Sequence, residues 1–186
     1  MKKIDIRLNQ NEMSLLRSMV GQEFSAFLHD EFQYTQSSSQ AVELVISGTP
    51  YYIYSFTEEQ DYFGSTEDVA VLSLSSEKLP IIDKKSFINT PVKKVINDII
   101  LIQENQRVYE KNNQIYDVWL TRGIVFIFDD RQIAFEKDIW FSEEIIIHRG
   151  YDLAKYFSSP DHFGDDWDNK YKTECIRIDE HIIHKQ

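Results

Sequence analysis

Cysteine, glycine, proline and alanine are all scarce in this chain of 186 residues, with one, six, four and five copies respectively. A single cysteine excludes an intramolecular disulfide, six glycines leave little material for a phosphate-cradling loop, and few alanines disfavour a helical protein. No hydrophobic run approaches the length of a membrane span, and the charged N-terminus is not followed by an apolar signal core. We therefore expect a cytoplasmic protein.

Residues that favour β-structure are abundant. The chain has 23 isoleucines and 13% aromatic residues, and both groups are enriched in strands. Its 42% hydrophobic and 27% charged residues are typical of a globular protein, and neither an internal repeat nor a Pro/Gly-rich linker divides it. The sequence predicts one α+β domain over residues 1–186, built on a curved antiparallel sheet or a partly closed barrel with a few short helices.

Short helices are predicted where a capping residue precedes helical spacing. Asn11 can cap an apolar stripe that Gly21 would end, and Ser159 with Pro160 is typical of a helix start. The predicted helices cover about 11–20, 151–157 and 160–168, with a further short helix at 91–96 after Thr90-Pro91.

Period-two alternation and turn residues predict the strands. Gly48-Thr49-Pro50 separates two of them as a hairpin, and Arg122-Gly123 and Asp129-Asp130 are interpreted as turns of an antiparallel meander. The run 124–128 is apolar on both faces, so a helix layer or closure of the sheet must cover it on both sides. The predicted strands are 23–29, 42–47, 51–56, 69–74, 98–103, 115–120, 124–128, 132–136, 145–148 and 175–179.

Negative charge is concentrated in one segment. The net charge is −11, and residues 18–77 contain ten Asp or Glu and no Lys or Arg. Because contacts with phosphates need basic residues, the composition argues against direct binding to nucleic acid or to an anionic membrane. An acidic face could attract a basic partner, or it could serve only the solubility of the chain.

Tyrosines are interleaved with these carboxylates, and tyrosine is a common anchor in protein interfaces. The leading hypothesis is therefore a non-enzymatic domain of the immunity or regulator type, whose acidic, tyrosine-rich surface binds a basic protein partner. One version blocks a basic nuclease toxin. The oligomeric state is left open. The candidate binding residues are Glu31, Tyr51, Tyr54, Glu58, Glu59, Asp61 and Tyr62.

No nucleotide-binding, zincin, α/β-hydrolase or zinc-ribbon motif occurs, which lowers the expectation of an enzyme. The densest polar cluster could perform acid–base chemistry or bind a divalent cation if its carboxylates converge. Alternatively, it is the exposed face of a strand, neutralised by Lys137 and Arg149. This second hypothesis, a hydrolase or metal-binding enzyme, uses Glu136, Glu143, Glu144 and His148. We expect no cofactor and assign no metal site.

Two other polar features are interpreted as structural. The acidic segment 161–168 lacks the closing glutamate of an EF-hand loop, so Phe163 and Trp167 are expected to pack beneath a solvated helix end. Cys175 is expected to be a small buried hydrophobe. A third hypothesis is a small-ligand binder with an apolar pocket inside the curved sheet.

Two segments, IYDVWLTRGI (115–124) and EKDIWFSEEI (136–145), resemble a set of bacterial proteins of unknown function. The resemblance covers the second half of the chain. It implies a bacterial, cytoplasmic protein and no particular activity.

Overall fold

Strands make up most of the computed structural model, which describes residues 1–30, 37–38, 40–62, 65–78, 87–165 and 167–182. The helices in these ranges are α1 (Gln10–Met19) and two short 3₁₀ helices, Leu153–Tyr156 and Pro160–Gly164. The strands are β1 (Lys2–Ile6), β2 (Glu23–Asp30), β3 (Ser37–Ser38), β4 (Ala41–Ile46), β5 (Thr49–Tyr62), β6 (Ser65–Ser75), β7 (Phe87–Val95), β8 (Asp98–Glu110), β9 (Asn113–Ile127), β10 (Gln132–Lys137), β11 (Ile145–Gly150) and β12 (Tyr171–His181).

The strands form two open sheets. Sheet A has the order β12-β8-β9-β10-β11-β3, and β1 adds to it by pairing in parallel with β9. Sheet B has the order β6-β5-β4-β2-β7, and all of its pairs are antiparallel. The predicted β-rich α+β class is confirmed, with two sheets that are antiparallel except for the β1–β9 pair. None of the described helices is long and apolar enough to cross a membrane.

The N-terminal helix begins at a capping box. The Asn9 side chain accepts from the backbone N–H groups of Asn11 and Glu12, and Glu12 Oε2 accepts from the Asn9 N–H at 2.6 Å. The predicted helix is confirmed, but Asn11 as its cap was wrong, because only Asn9 has a glutamate three residues later to complete the box. Glu12 Oε1 also accepts from the Leu74 N–H at 2.9 Å, which ties α1 to β6.

Two tight hairpins organise the sheets. The β4–β5 turn, which was predicted, uses Ser47 and Gly48 with φ of 48° and 81°. The β8–β9 turn uses Lys111 and Asn112 with φ of 48° and 70°. Two consecutive residues with positive φ match the right-handed twist of the flanking strands. The second turn was not predicted, since it contains no glycine.

Two local predictions were wrong. Arg122-Gly123 is no turn, because β9 runs without interruption through it. Glycine at position 123 lets the neighbouring backbone and a phenylalanine ring approach β9 closely. An added Cβ would lie 2.5 Å from the Phe135 carbonyl oxygen and 2.5 Å from the Phe157 ring. Residues 91–95 of the helix predicted at 91–96 belong instead to β7, an edge strand in which Pro91 pairs with Ala26. An edge position tolerates the missing amide donor of proline.

The two later helices exist but are shorter than predicted. Residues 151–157 contain the 3₁₀ helix Leu153–Tyr156, and residues 160–168 contain the 3₁₀ helix Pro160–Gly164. The Ser159 side chain accepts from the Asp161 N–H at 3.3 Å, as its predicted capping role requires. Tight single turns of this kind are typical connectors between a sheet and its covering layer.

The largest core lies between the two sheets and beneath α1. It includes Leu16 and Met19 from the helix, Phe24 and Phe27 from sheet B, and Phe126 from sheet A. On the other face of sheet A, Val125 packs beneath Leu153 and Phe157. The prediction that the run 124–128 is covered on both sides is therefore confirmed, by sheet B on one side and by the segment around the first 3₁₀ helix on the other.

Candidate functional site

A cavity of about 600 Å³ opens on the outer face of sheet A. The sheet supplies its floor, and two segments supply its walls: residues 139–141, which follow β10, and residues 159–171, which lead into β12. A volume of this size is in the range of small-molecule sites. Its lining residues are Glu104, Gln106, Arg122, Ile139, Trp140, Phe141, Ser159, Pro160, His162, Phe163, Trp167, Asp168 and Tyr171.

The floor is polar although it is buried. Glu104 and Gln106 lie two residues apart on β8, on the same face of the strand, and only 2% and 6% of their surfaces are exposed. Glu104 Oε1 accepts two bonds from Arg177 on β12, from Nη2 at 2.5 Å and Nε at 3.2 Å, and Glu104 Oε2 accepts from Gln106 Nε2 at 3.2 Å. Both Glu104 oxygens are thus hydrogen-bonded, and this buried carboxylate is compensated by a cation.

Arg122 reaches the floor because of a β-bulge. Ile102 pairs with Gly123 and Gln103 pairs with Thr121, so Arg122 is an extra residue in β9. Bulges redirect side chains next to functional sites. The Arg122 side chain is 9% exposed; its Nε donates to Glu136 Oε1 at 3.4 Å, and its Nη1 donates to the Asp138 carbonyl oxygen at 3.1 Å.

Behind Arg122, Glu136 is the centre of a buried network. Glu136 Oε2 lies 2.7 Å from His148 Nε2, and Glu136 Oε1 accepts from the Ser158 N–H at 2.8 Å. Burial raises the pKa of Glu136, but the bonds from His148 and Ser158 together with the charge of Arg122 outweigh burial, and the net effect is a lowered pKa. Glu136 is therefore held as a carboxylate that positions the Arg122 guanidinium.

Lys137 anchors the 139–141 wall from below. It is 1% exposed, and its Nζ donates to the carbonyl oxygens of Asp138 at 3.2 Å and Ile139 at 3.0 Å. Desolvation, followed by the nearby charge of Arg122, lowers the pKa of Lys137 to about 7. Two main-chain carbonyls thus take the place that a carboxylate would normally have beside a buried lysine.

The walls of the cavity are aromatic. Trp167 meets Phe163 at 6.0 Å and 61° and Tyr171 at 5.4 Å and 84°, so three rings stand edge to face. Trp140 forms the facing wall, and its carbonyl oxygen accepts from the Ala70 N–H at 2.9 Å, which fixes this wall to sheet B. Phe141 is 53% exposed at the mouth. The expected packing of Phe163 against Trp167 is confirmed, and both rings also line the cavity.

The segment 161–168, which supplies part of the cavity wall, carries several exposed aspartates. Asp161, Asp165 and Asp168 are exposed, and of these Asp168 lines the cavity. His162 Nδ1 lies 3.1 Å from Asp165 Oδ2, and Asp168 Oδ1 accepts from the Lys170 N–H at 3.2 Å. The polar residues His162 and Asp168 therefore line the cavity beside its aromatic walls.

The structure brings together half of the predicted catalytic set. Glu136 and His148 are bonded, whereas Glu143 turns towards sheet B, where its Oε1 accepts from the Thr57 N–H at 3.0 Å and its Oε2 from Gln40 Nε2 at 2.5 Å. Glu144 is half-buried. The alternative named Lys137 and Arg149 as the cations that neutralise this cluster. In the structure Lys137 Nζ bonds to main-chain carbonyl oxygens, and the Arg149 guanidinium lies over the Phe27 ring at 5.1 Å.

Neither a metal centre nor a reactive thiol is present in the part of the chain that the structure describes. No three His, Cys, Asp or Glu side chains in these ranges are placed to hold a metal ion together. Burial and the neighbouring Glu104 carboxylate raise the pKa of the half-buried Cys175 thiol to about 12, so this cysteine is a poor nucleophile.

The predicted acidic surface is partly assembled. Glu58, Glu59 and Asp61 lie together near the end of the β5–β6 hairpin, and Glu59 pairs directly with Asp68 across the strands. Asp61 also forms an ion pair with Lys2 at 3.0 Å. The carboxylates Glu67 and Asp68 join this group from β6, so five acidic residues share one hairpin end.

The predicted tyrosines are spread over the length of β5. Tyr51 and Tyr54 are half-buried and, three residues apart on a strand, lie on opposite faces. Tyr54 packs against Phe56 at 5.6 Å. Tyr62 is described only as a backbone position in β5, and Glu31 lies outside the described residues.

Sequence reasoning missed the polar floor of the cavity. One signal was available: residues 103–107, Gln-Glu-Asn-Gln-Arg, interrupt an otherwise apolar strand with five consecutive polar residues. Four of them, at positions 103–106, are buried. A polar run that is buried on both faces of a strand is costly unless its groups are bonded, so this run indicates a buried polar network at this level of the sheet.

These geometric observations are the whole basis for assigning a function, because no family model, curated protein or solved structure matches the chain.

Proposed function

We propose that this protein binds a small organic molecule in the cavity on the outer face of sheet A. The observation that carries the proposal is the combination of an aromatic-walled volume of about 600 Å³ with buried, convergent polar groups on its floor. Most small-molecule sites have this composition, in which apolar walls supply affinity and a few placed polar groups supply orientation.

Binding is better supported than catalysis. The groups suited to acid–base chemistry, Glu136 and His148, are bonded to each other and are not among the lining residues. Of the polar side chains on the floor, Glu104 has both oxygens bonded and Arg122 is held by Glu136. The floor therefore offers fixed recognition groups and no placed nucleophile.

Tryptophan fluorescence gives a direct test. Trp140 and Trp167 line the cavity and Trp119 does not, so a Trp119→Phe background reports on the cavity alone. We expect members of a panel of 2-naphthol, indole, adenine and inosine to change this emission in a saturable way and to raise the thermal unfolding midpoint.

Two matched variants locate the effect. Phe141→Ala removes a half-exposed ring at the mouth and should weaken binding by about tenfold through lost contact area. Tyr156→Ala removes an exposed ring outside the cavity and should change nothing. If no member of the panel binds, or if both variants weaken binding equally, the cavity is not the ligand site.

A second candidate function is the binding of a basic protein, in the manner of an immunity or regulator domain. The five carboxylates at the end of the β5–β6 hairpin support it. Glu59 and Asp68 lie directly opposite each other, and a cationic partner would relieve the repulsion between them.

We also propose that the protein comes from a bacterium and is located in the cytoplasm.

Charge reversal tests the second candidate. A Glu59→Lys/Asp68→Lys variant and the natural chain would be immobilised and compared in capture from a bacterial extract at low and high salt. The proposal requires a captured protein that is basic, is released by salt and is absent from the variant. A partner that stays bound at high salt, or that binds the variant equally, would remove the electrostatic argument.

A further inference from the structure

Strand β12, eleven residues long, forms one edge of sheet A. It contains neither proline nor glycine, and it pairs with β8 without a register shift. Three other edge strands are protected in ways that natural proteins use: β3 is two residues long, β7 contains Pro91 and pairs through a register shift, and β6 donates from the Ala70 N–H to the Trp140 carbonyl oxygen. By contrast, β12 is a long, regular edge that can accept another strand.

The backbone groups of β12 alternate in direction. The Ile182 N–H, one residue after the strand, donates to the Ile99 carbonyl oxygen at 2.7 Å. In this register the even-numbered residues therefore direct their backbone groups to β8, and the odd-numbered residues direct theirs away from the sheet. The Tyr171 N–H donates to the Asp168 carbonyl oxygen. No bond within the described residues occupies the other outward N–H groups, which belong to residues 173, 175, 177, 179 and 181.

Apolar side chains are exposed on one face of this edge. Ile176 and Ile178 are each 43% exposed, and they lie on the same face because they are two residues apart. Lys172, Glu174 and Glu180 also belong to this face. Ile176 lies midway between Lys172 and Glu180, four residues from each. A strand with opposite charges at equal distances from an apolar centre is complementary to a second copy of itself in antiparallel orientation.

We propose that β12 pairs in antiparallel orientation with β12 of a second copy of this chain, around a twofold axis at Ile176. In this register Lys172 lies opposite Glu180 of the second copy, and this ion pair occurs twice. Ile176 meets its own equivalent at the axis, and Ile178 of each copy lies diagonally beside this contact. The outward N–H groups of both copies supply about ten main-chain hydrogen bonds, and sheet A of one copy continues into sheet A of the other.

The charges favour this register over its neighbours. Moving the axis one residue towards the C-terminus would place Glu174 opposite Glu180 twice, and moving it one residue towards the N-terminus would place Lys172 opposite Ile178. Lys172 already bonds to Glu174 at 2.7 Å, but an ammonium group has three donors and can hold both carboxylates. Within β12 only Tyr171 lines the cavity, so the inference does not rest on the proposed function.

Sedimentation velocity at increasing chain concentration tests the association. A single strand pair predicts a dimer with a dissociation constant on the order of micromolar. Lys172→Glu should weaken this dimer about tenfold or more, because it replaces two attractions with two repulsions. Adding Glu180→Lys to that variant should restore the dimer. Lys3→Glu makes the same change of charge at an exposed position on β1, and it should leave the association close to that of the natural chain.

A disulfide at the axis tests the register. In a Cys175→Ser background, Ile176→Cys places two thiols in a non-hydrogen-bonded pair, whose Cα atoms are about 4.5 Å apart, a distance that a disulfide spans. Glu174→Cys is the control, because the two copies of residue 174 would lie about 14 Å apart along the strands. Under mild oxidation we expect a cross-linked dimer from the first variant only. The thermal unfolding midpoints establish that both variants are folded.

Three results would overturn the inference. A natural chain that stays monomeric at about 200 µM has no edge that pairs with itself. A dimer that Lys172→Glu leaves intact, or that the added Glu180→Lys does not restore, is held together by another surface. Cross-linking through residue 174 as readily as through residue 176, or through neither, would exclude the proposed register.

Discussion

Replacing Lys137 with methionine should change how stability depends on pH. The pKa of this lysine is lowered from 10.5 to about 7, first by burial and then by the charge of Arg122. Between these two values the unfolded chain holds the proton and the folded chain does not, so the free energy of unfolding rises with pH. Below pH 7 both states are protonated and the folded state bears the full cost of the buried charge.

The size of the effect follows from the shift. At pH 7 the folded lysine is half neutral while the unfolded lysine is charged. At about pH 9.5 the folded lysine is neutral and the unfolded one is still mostly charged, so the natural chain should gain about 3 kcal/mol over this interval relative to Lys137→Met. Groups that titrate in both proteins cancel in the difference.

Urea unfolding followed by tryptophan emission measures this difference at each pH. Lys3→Met, at an exposed position on β1, is the matched control and should leave the pH dependence close to that of the natural chain. A difference between the natural chain and Lys137→Met that stays flat from pH 7 to about pH 9.5 would refute the reasoning, since a lysine that keeps its proton in the folded state has no such slope.

Three further changes follow from contacts in the structure. Gly123→Ala should destabilise the chain by about 3 kcal/mol or more in urea unfolding, because the new Cβ would overlap the Phe157 ring and a neighbouring carbonyl; a cost below 1 kcal/mol would mean that the ring moves aside. Glu136→Gln should destabilise by about 1–3 kcal/mol at neutral pH through the lost charge opposite Arg122 and His148. Because the pKa of Glu136 is lowered, that advantage of the natural chain should shrink as pH falls below 4.5 and through the folded pKa; an advantage that persists in acid would contradict it. Asn9→Ala should cost about 1 kcal/mol through loss of the helix cap, and no change would indicate that the capping box contributes nothing.

Much of the fold follows from local patterns in the sequence. Residues 23–29 predict β2 by alternation and residues 69–74 predict part of β6 by their apolar, β-branched content. The burial itself departs from a period of two, because β2 has a bulge between Phe24 and Ala26 and residues 69–72 of β6 are buried on both faces. The errors come from residues with more than one structural use. Gly123 was interpreted as a turn residue, although its role is to let two backbones and a ring approach closely. Pro91 suggested a helix start, although it sits in an edge strand.

The candidate site was harder to predict for a physical reason. Its floor joins β8 and β9 through a register that contains a bulge, and no local pattern reveals which residue a bulge leaves unpaired. The contact between Glu136 and His148 could have been predicted from the sequence, because residues on the two adjacent strands of a short hairpin lie close to each other. Glu104 and Gln106 could be suspected from the polar run 103–107, but not their meeting with Arg122.

The bulge at Arg122 connects the architecture of sheet A with the proposed chemistry. β9 pairs with β1 up to Leu120 and with β10 from Gly123, so Arg122 lies where the strand changes partners. An extra residue costs least at such a junction, because no continuous ladder is broken on that side. The side chain it releases is then held by Glu136 and by the Asp138 carbonyl, both supplied by β10 and the residue after it. The same strand end continues into the 139–141 wall. One irregularity thus places a cationic side chain on the floor of the cavity and fixes it there, which is the precision that a recognition site requires.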